Sequence, residues 1–154
     1  MPLHTRATHR IVVDAPAEKA FMFFTPAGEE LWVNGWSPRY VHPEDGATQQ
    51  GMVFCTGQGA DLTVWTLLEF DRQAMRSRYV RCTPATRTGT VEVVCTALDA
   101  SRTQVEVTYT LTALSPEGEV VLQAFEGPAF ASMIESWATD IGRHLPRLLA
   151  ASIR

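Results

Sequence analysis

The pattern of apolar and polar positions divides the chain into a strand-rich middle and a helical C-terminal part. Positions 103–113 alternate, with Val105, Val107, Tyr109 and Leu111 on one side and polar residues on the other. This alternation is typical of a half-buried antiparallel strand. Similar runs rich in β-branched and aromatic residues predict strands at 8–13, 39–42, 52–56, 62–70, 75–83 and 89–98. The short turns between successive runs indicate an antiparallel meander.

Helical signals flank these strands. After the first strand, Asp14 or Ala15 is predicted to cap a short helix with Pro16 in its first turn, and Pro26 opens a second short helical turn. In the C-terminal part, apolar residues recur at helical spacing, at Phe130, Met133, Ile134, Trp137 and Ile141. Pro146 should end or kink this long helix near 142–143.

A single sheet of this length must bury one face, and the long C-terminal helix is the one large apolar partner that the pattern offers. We therefore predict an α+β fold with a curved antiparallel sheet of about six or seven strands wrapped on that helix. The two short helices would close one end. The 154 residues contain no repeat or linker and predict one domain over 1–154. This arrangement leaves a cavity between helix and sheet unless large side chains fill it.

Several short motifs occur in this order of elements. They are VDAPAEKAF at 13–21, TP at 25–26, ELWVNGW at 30–36, GMVF at 51–54, TVW at 63–65, TYTLTALS at 108–115 and the terminal helix with Trp137. Together they resemble the SRPBCC superfamily, also called helix-grip, over nearly the whole chain. That superfamily includes START domains, birch-pollen-allergen-like proteins, polyketide cyclases and activators of a chaperone ATPase. The resemblance is greatest to the cyclase/dehydrase and ATPase-activator branches. It implies the helix-grip fold but no catalytic residue, because this fold hosts many functions.

Charge and composition narrow the partners. The net charge of −4 argues against a nucleic-acid partner, which usually requires a clustered basic surface. No apolar run approaches the roughly 20 residues that span a bilayer, and the first ten residues lack the apolar core of a signal peptide. We therefore expect a cytoplasmic protein without a membrane span. A protein partner or a homodimer stays open.

The cysteines and histidines do not predict a metal or a cofactor. Cys55, Cys82 and Cys95 are far apart, have neither CxxC nor zinc spacing and are expected to be small buried thiols. The four histidines match no metal motif. The arginines at 72, 76, 78, 81 and 87 have Asp61, Glu69 and Asp71 beside them, so they favour a solvated strand face, with an anion patch as the alternative.

Aromatic residues are the main candidates for a ligand site. Trp32 and Trp36 lie on either side of Gly35 in a Gly/Pro-rich connection, where they would form the rim or floor of the cavity or plug it. Other residues at inward-facing positions extend this candidate lining, namely Tyr40, Trp65, Tyr79, Tyr109, Phe130, Met133 and Trp137. The alternative for any one of them is a purely structural place in the core.

Four polar residues are further candidates. His42 is either a ligand or proton-transfer group at the cavity mouth or a strand-end histidine in solvent. Glu29 and Glu30 adjoin the tryptophans, where a buried carboxyl would have a raised pKa, although an ion pair with Arg39 is the alternative. Strand parity leaves the direction of Arg81 unsettled, and a cavity-facing arginine would suggest an acidic or phosphorylated ligand.

Three functions are consistent with these patterns. The first is binding of a small hydrophobic or amphipathic ligand in the cavity, as a carrier or sensor. The second is an enzyme of the cyclase, dehydratase or hydrolase type that uses polar groups such as Glu30, His42 and Tyr109 in the same cavity. The third is an adaptor similar to the chaperone-ATPase activators, which would have a filled core and an exposed apolar patch.

Overall fold

The computed structural model describes residues 3–154, which form a seven-stranded antiparallel sheet with helices on its concave side. The strands are β1 His4–Val13, β2 Arg39–His42, β3 Val53–Thr56, β4 Thr63–Asp71, β5 Arg76–Thr83, β6 Arg87–Ala97 and β7 Thr103–Ala113. Their order across the sheet is β1-β7-β6-β5-β4-β3-β2. Strands β2 to β7 therefore form the predicted meander, and β1 pairs with β7, the last strand.

The helices are α1 Ala17–Met22, α2 Pro26–Glu29, α3 Pro116–Leu122, α4 Gly127–Arg143 and α5 Leu145–Ala150. Hydroxyl caps fix two of these helices, because Thr25 Oγ1 accepts from the Gly28 N–H at 3.0 Å and Ser115 Oγ accepts from the Gly118 N–H at 3.1 Å. The N-cap of α1 is Pro16, without a side-chain cap, so the predicted cap at Asp14 or Ala15 is wrong. Helix α4 ends before Pro146, as predicted.

The core lies between the concave face of the sheet and α4. Helix α4 buries Phe130, Ile134 and Ile141, and β7 buries Val105 and Leu111 on the facing side. Burial of each such side chain contributes about 1.5–3 kcal/mol. At the edge, His9 Nε2 of β1 lies 2.7 Å from Glu135 Oε1 of α4, so the helix is also tied to the first strand. The predicted helix-grip architecture, with two short helices after the first strand, is confirmed.

Within residues 3–154, no helix is both long enough and apolar enough to cross a bilayer.

Candidate ligand-binding cavity

A cavity of about 100 Å³ lies between the concave face of the sheet, the helix α2 and the helix α4. Its wall is mainly aromatic and includes all four tryptophans of the chain. The lining residues are Phe24, Pro26, Glu29, Trp32, Val33, Trp36, Phe54, Trp65, Tyr79, Val91, Val93, Tyr109 and Trp137. The interior is therefore not completely filled by side chains.

Trp32 and Trp36 form part of this wall, and backbone carbonyls hold both indole rings. Trp32 Nε1 donates to the carbonyl oxygen of Phe23 at 2.8 Å, and Trp36 Nε1 donates to that of Pro26 at 3.0 Å. The ring of Trp32 packs edge-on against Trp137 of α4, with centroids 5.9 Å apart. Because each buried N–H has an acceptor, the rings lie against the cavity without an unsatisfied polar group.

The sheet supplies the opposite wall through its register. Phe54 of β3 faces Trp65 of β4, and the two rings are stacked at 5.6 Å. Farther along, Tyr79, Val91 and Tyr109 are direct cross-strand neighbours on β5, β6 and β7. Since alternate residues of each strand face the same side, this register carries aromatic rings to the concave surface.

Glu29 brings an ionisable carboxyl to this apolar wall. Burial raises the pKa of Glu29 well above its usual value. Its negative charge in turn contributes to the raised pKa values of Tyr79 and Tyr109, after the larger effect of their own burial. The hydroxyl of Tyr79 donates to the carbonyl oxygen of Phe24 at 3.0 Å, so this phenol is also held in place. The cavity therefore contains one acid that favours its protonated form, with two tyrosines near it.

The candidate residues named from the sequence separate into two groups. Trp32, Trp36, Trp65, Tyr79, Tyr109 and Trp137 line the cavity. Phe130 is buried behind it, edge-on to Tyr109 at 5.4 Å, and Met133 is half-buried against the core.

Three other candidates lie away from the cavity. His42 is exposed at the end of β2 and does not line the cavity, which agrees with the strand-end alternative and not with a place at the cavity mouth. Glu30 is also exposed and accepts a hydrogen bond from the hydroxyl of Tyr40 at 3.1 Å. Glu30 and Tyr40 line a separate surface pocket beside the C-terminal residues 151–154. The physical reason is that α2 ends at Glu29, and one further residue turns the side chain of Glu30 to solvent.

The cavity-lining acid is thus Glu29, whereas the sequence favoured Glu30. A helical signal was present, because Pro26, Glu29 and Trp32 are spaced three residues apart and share one face. Val91 and Val93 of β6 were also missed, although they alternate along a strand in the pattern expected of inward-facing positions.

The side chain of Arg81 is buried on the concave side of the sheet and is only 6% exposed. The predicted solvated arginine face is therefore wrong at this position, although Arg72 and Arg76 are exposed. The reason is strand parity, since Ser77, Tyr79, Arg81 and Thr83 all face the concave side of β5. Its guanidinium carbon lies 5.0 Å from the centroid of the Trp65 ring, and burial lowers the pKa of Arg81 to about 10.

A cleft of about 630 Å³ lies outside the cavity, between residues 30–36 and the C-terminal end of α4. Trp32, Val33 and Trp36 line both the cavity and this outer cleft. We call residues 32–36 the partition segment, because it separates the cavity from the surface. Gly35 within it has a φ of +76°, which favours glycine, and no heavy atom lies within 4 Å of the place where a Cβ would stand.

A seven-stranded sheet gripping a C-terminal helix, with this cavity between them, is the helix-grip fold. Solved structures match nearly the whole chain at low sequence identity. No protein-family model and no curated protein sequence matches the chain. The similarity to solved structures confirms the helix-grip fold that the sequence resemblance implied.

Three solved structures illustrate the similarity. The di-domain aromatase/cyclase BexL from the BE-7585A biosynthetic pathway has a TM-score of 0.66 and 16% identity, over 96% of this chain and 48% of that one. Major latex-like protein 151 from Panax ginseng has a TM-score of 0.63 and 12% identity, over 94% of this chain and 99% of that one. Norcoclaurine synthase from Thalictrum flavum, solved with a transition-state analogue, has a TM-score of 0.58 and 12% identity, over 94% and 98% of the two chains.

Proposed function

We propose that this protein binds a small apolar or amphipathic molecule in the cavity between the sheet and α4, as a carrier or sensor. The observation that carries this proposal is the wall of the cavity, which is almost wholly aromatic or aliphatic and holds few polar groups. Small-molecule sites are typically concave, mostly apolar and furnished with a few placed polar groups.

The size of the cavity limits the ligand. An apolar cavity of about 150 Å³ binds benzene, and sites for drug-sized ligands measure about 300–1,000 Å³. The cavity of about 100 Å³ is smaller than both, so the ligand is at most a single ring or a short chain unless the partition segment moves. Norcoclaurine synthase, a structural neighbour, has been solved with dopamine and hydroxybenzaldehyde, which are aromatic molecules of one ring each.

Native mass spectrometry of protein purified from its own host tests the proposal directly. We expect a co-purified small molecule, and we expect thermal-shift stabilisation by single-ring aromatic compounds. The variant Val91→Phe places a ring between Tyr79 and Tyr109 and should abolish both signals. Val64→Phe, on the outer face of β4 and 40% exposed in the wild type, is the matched control and should retain them. The proposal fails if the two variants behave alike.

A second candidate function is catalysis in the same cavity, as a cyclase, dehydratase or hydrolase. Glu29 favours this candidate, because a carboxyl with a raised pKa beside two tyrosines is suited to proton transfer. We expect the wild type to convert the recovered ligand or a close analogue, as followed by mass spectrometry, and Glu29→Gln to lower the rate at least about 100-fold. Equal conversion by both proteins would exclude Glu29 as the acid or base. Binding without conversion would leave the carrier function.

The third hypothesis, an adaptor, required a filled core. The cavity in the interior argues against it.

A further inference from the structure

Two arginines lie together at the end of the concave face where β5 turns into β6. Arg81 is buried near the end of β5, and Arg87 is half-buried at the start of β6. The two guanidinium groups are close enough that the charge of Arg87 contributes to the lowered pKa of Arg81, after the effect of burial. Within residues 3–154 neither arginine belongs to an ion pair with a carboxylate.

Neutral groups hold Arg81 in its place. One guanidinium nitrogen, Nη2, donates to the hydroxyl of Thr83 at 2.6 Å and to that of Thr63 at 3.3 Å. The guanidinium carbon of Arg81 lies 5.0 Å from the centroid of the Trp65 ring. The buried Nε has no hydrogen-bond partner among the described residues. Hydroxyls and a ring orient this cation but do not neutralise it, and a buried charge without a counter-ion is costly.

Arg87 has a similar environment. Its Nη1 donates to Thr86 Oγ1 at 3.1 Å, its guanidinium carbon lies 5.5 Å from the ring centroid of Phe125, and its buried Nε is also unpartnered within residues 3–154. Burial lowers the pKa of Arg87, and the opposing effects of Tyr109 and of the exposed Asp61, which forms no ion pair with Arg87, are smaller. Two adjacent guanidinium groups thus keep hydrogen-bond donors that no carboxylate of the described chain uses.

Two cavity-lining aromatics connect this pair to the cavity. The guanidinium group of Arg81 packs on the face of the Trp65 ring. The Tyr109 ring stacks on Phe125 with centroids 5.6 Å apart, and the guanidinium group of Arg87 packs on that same Phe125 ring. Both Trp65 and Tyr109 also line the cavity. Neither arginine lines the cavity itself, because Arg81 lies behind Trp65 and Arg87 lies behind Phe125. The carboxylate of a ligand at this end of the cavity would reach the arginines past the edges of these rings. Arginine forks match the two oxygens of a carboxylate, and the small cavity suits one ring.

We propose that Arg81 and Arg87 form an anion subsite that binds the carboxylate of a small aromatic acid whose ring occupies the cavity. This inference rests on the proposed ligand-binding function and adds the chemical class of the ligand. The structural purpose of the unpaired guanidinium groups is then to receive a counter-ion that the ligand supplies.

Titration calorimetry with benzoate, phenyl phosphate and the neutral benzyl alcohol tests the subsite. We expect the wild type to bind benzoate at least about 10-fold more tightly than benzyl alcohol, since one charged hydrogen bond contributes about 1.5–3 kcal/mol. Arg81→Gln and Arg87→Gln should each remove this preference, so that benzoate binds no more tightly than benzyl alcohol. Arg76→Gln, which breaks an exposed ion pair with Glu92 on the outer face of the same strand, should keep the preference.

The outcomes separate this inference from the function on which it rests. Equal affinity of the wild type for benzoate and benzyl alcohol would overturn the subsite and leave the cavity function intact, whereas binding of none of the three probes would overturn both. Tighter binding of phenyl phosphate would overturn the choice of a carboxylate. Circular dichroism checks that Arg81→Gln folds. If it does not fold, Arg87→Gln at its half-exposed position decides, and a retained preference for benzoate in that variant would refute the subsite.

Discussion

Glu29 stands three residues after Pro26 and three before Trp32, so the helical face that carries Trp32 to the cavity carries a carboxyl with it. A carboxyl at an apolar wall destabilises the fold when it ionises, because the charged form loses its hydration. The same position prepares it to hold or release a proton beside a bound molecule. The chemical use of Glu29 and its cost to stability thus have one physical origin.

The stability of the protein should reflect this cost through pH. The folded-state pKa of Glu29 is raised above the unfolded value of about 4.3, so the native state binds more protons than the unfolded state between the two values. The contribution of Glu29 to stability is therefore greatest below the unfolded pKa and is lost as pH rises through the folded pKa. We expect Glu29→Gln to match the wild type near pH 4 and to be more stable at pH 8, as measured by urea unfolding.

Glu30→Gln is the control for this experiment. Glu30 is exposed, and glutamine can still accept the hydrogen bond from Tyr40. At pH 8 this variant should not gain the stability that Glu29→Gln gains, because an exposed carboxylate keeps its hydration. A Glu29→Gln protein that is less stable than the wild type at pH 8 would show that the ionised carboxylate has a favourable partner.

Single residues also show where prediction from sequence stops. The inward direction of Tyr109 followed from a clean alternation over β7, and the structure agrees. Arg81 lies on a strand whose inward residues are Ser77, Tyr79, Arg81 and Thr83, a set without an aliphatic member, so the hydrophobic pattern does not reveal the buried face. The choice between Glu29 and Glu30 depends on where a four-residue helix ends, and pattern rules do not fix such boundaries to one residue.

At the scale of elements, the partition segment is a thin wall held by two indole hydrogen bonds. Trp32 is buried at 3% exposure, whereas Trp36 is half-buried and also faces the outer cleft. Loss of a buried tryptophan costs about 3–5 kcal/mol, because both the transfer energy and the packing are lost. The two tryptophans should therefore differ in their contribution to stability and in their contribution to closing the cavity.

We expect Trp36→Ala to join the cavity to the outer cleft while costing less stability than Trp32→Ala, for which the loss should be about 3–5 kcal/mol. Urea unfolding measures the stability of each variant. Stopped-flow kinetics measures the rate at which a bound single-ring compound dissociates. Dissociation should be faster from Trp36→Ala than from the wild type. An unchanged dissociation rate would mean that the ligand leaves by another route.

Helix α3 docks closely on the loop between β5 and β6, the same region that carries the arginine pair. A Cβ added at Gly118 would lie 1.8 Å from the carbonyl oxygen of Thr86, so a side chain cannot be accommodated there without a shift of the helix. Gly142 of α4 is exposed, and a Cβ at that position would meet no heavy atom within 4 Å. Gly118 and Gly142 therefore differ in what a side chain at each position would meet.

Replacement by alanine should have opposite effects at these two glycines. Gly118→Ala should destabilise the protein by about 1–3 kcal/mol, the range for overpacking, and Gly142→Ala should stabilise it by about 0.5–1 kcal/mol, because alanine loses less backbone entropy in a helix. Thermal unfolding of both variants beside the wild type measures the difference. A neutral Gly118→Ala would show that α3 can move away from the β5–β6 loop.

At the scale of the whole molecule, the sequence predicted the architecture well because the element order leaves few solutions. A meander of strands with one apolar face and one long amphipathic helix can bury both only by wrapping. The pairing of β1 with β7 closes this arrangement beside α4. The volume that remains inside depends on small shifts of the helix and on each rotamer, which the hydrophobic pattern does not encode.

The remaining volume leads to a prediction for the fold as a whole. An unfilled apolar space lowers stability, because the side chains around it lose packing contacts. Val91→Phe should therefore raise the free energy of unfolding of the ligand-free protein by about 0.5–2 kcal/mol, the usual gain from filling a cavity. Urea unfolding of the ligand-free variant measures this gain. Destabilisation would indicate that the space is too small or the wrong shape for the added ring.

The position of the four tryptophans has a practical consequence. Trp32, Trp36, Trp65 and Trp137 all line the cavity, and the chain has no others. The intrinsic indole fluorescence of the protein therefore originates wholly at the cavity wall. Its emission wavelength and quenching report on whether the interior is empty or occupied, without a label or an added chromophore.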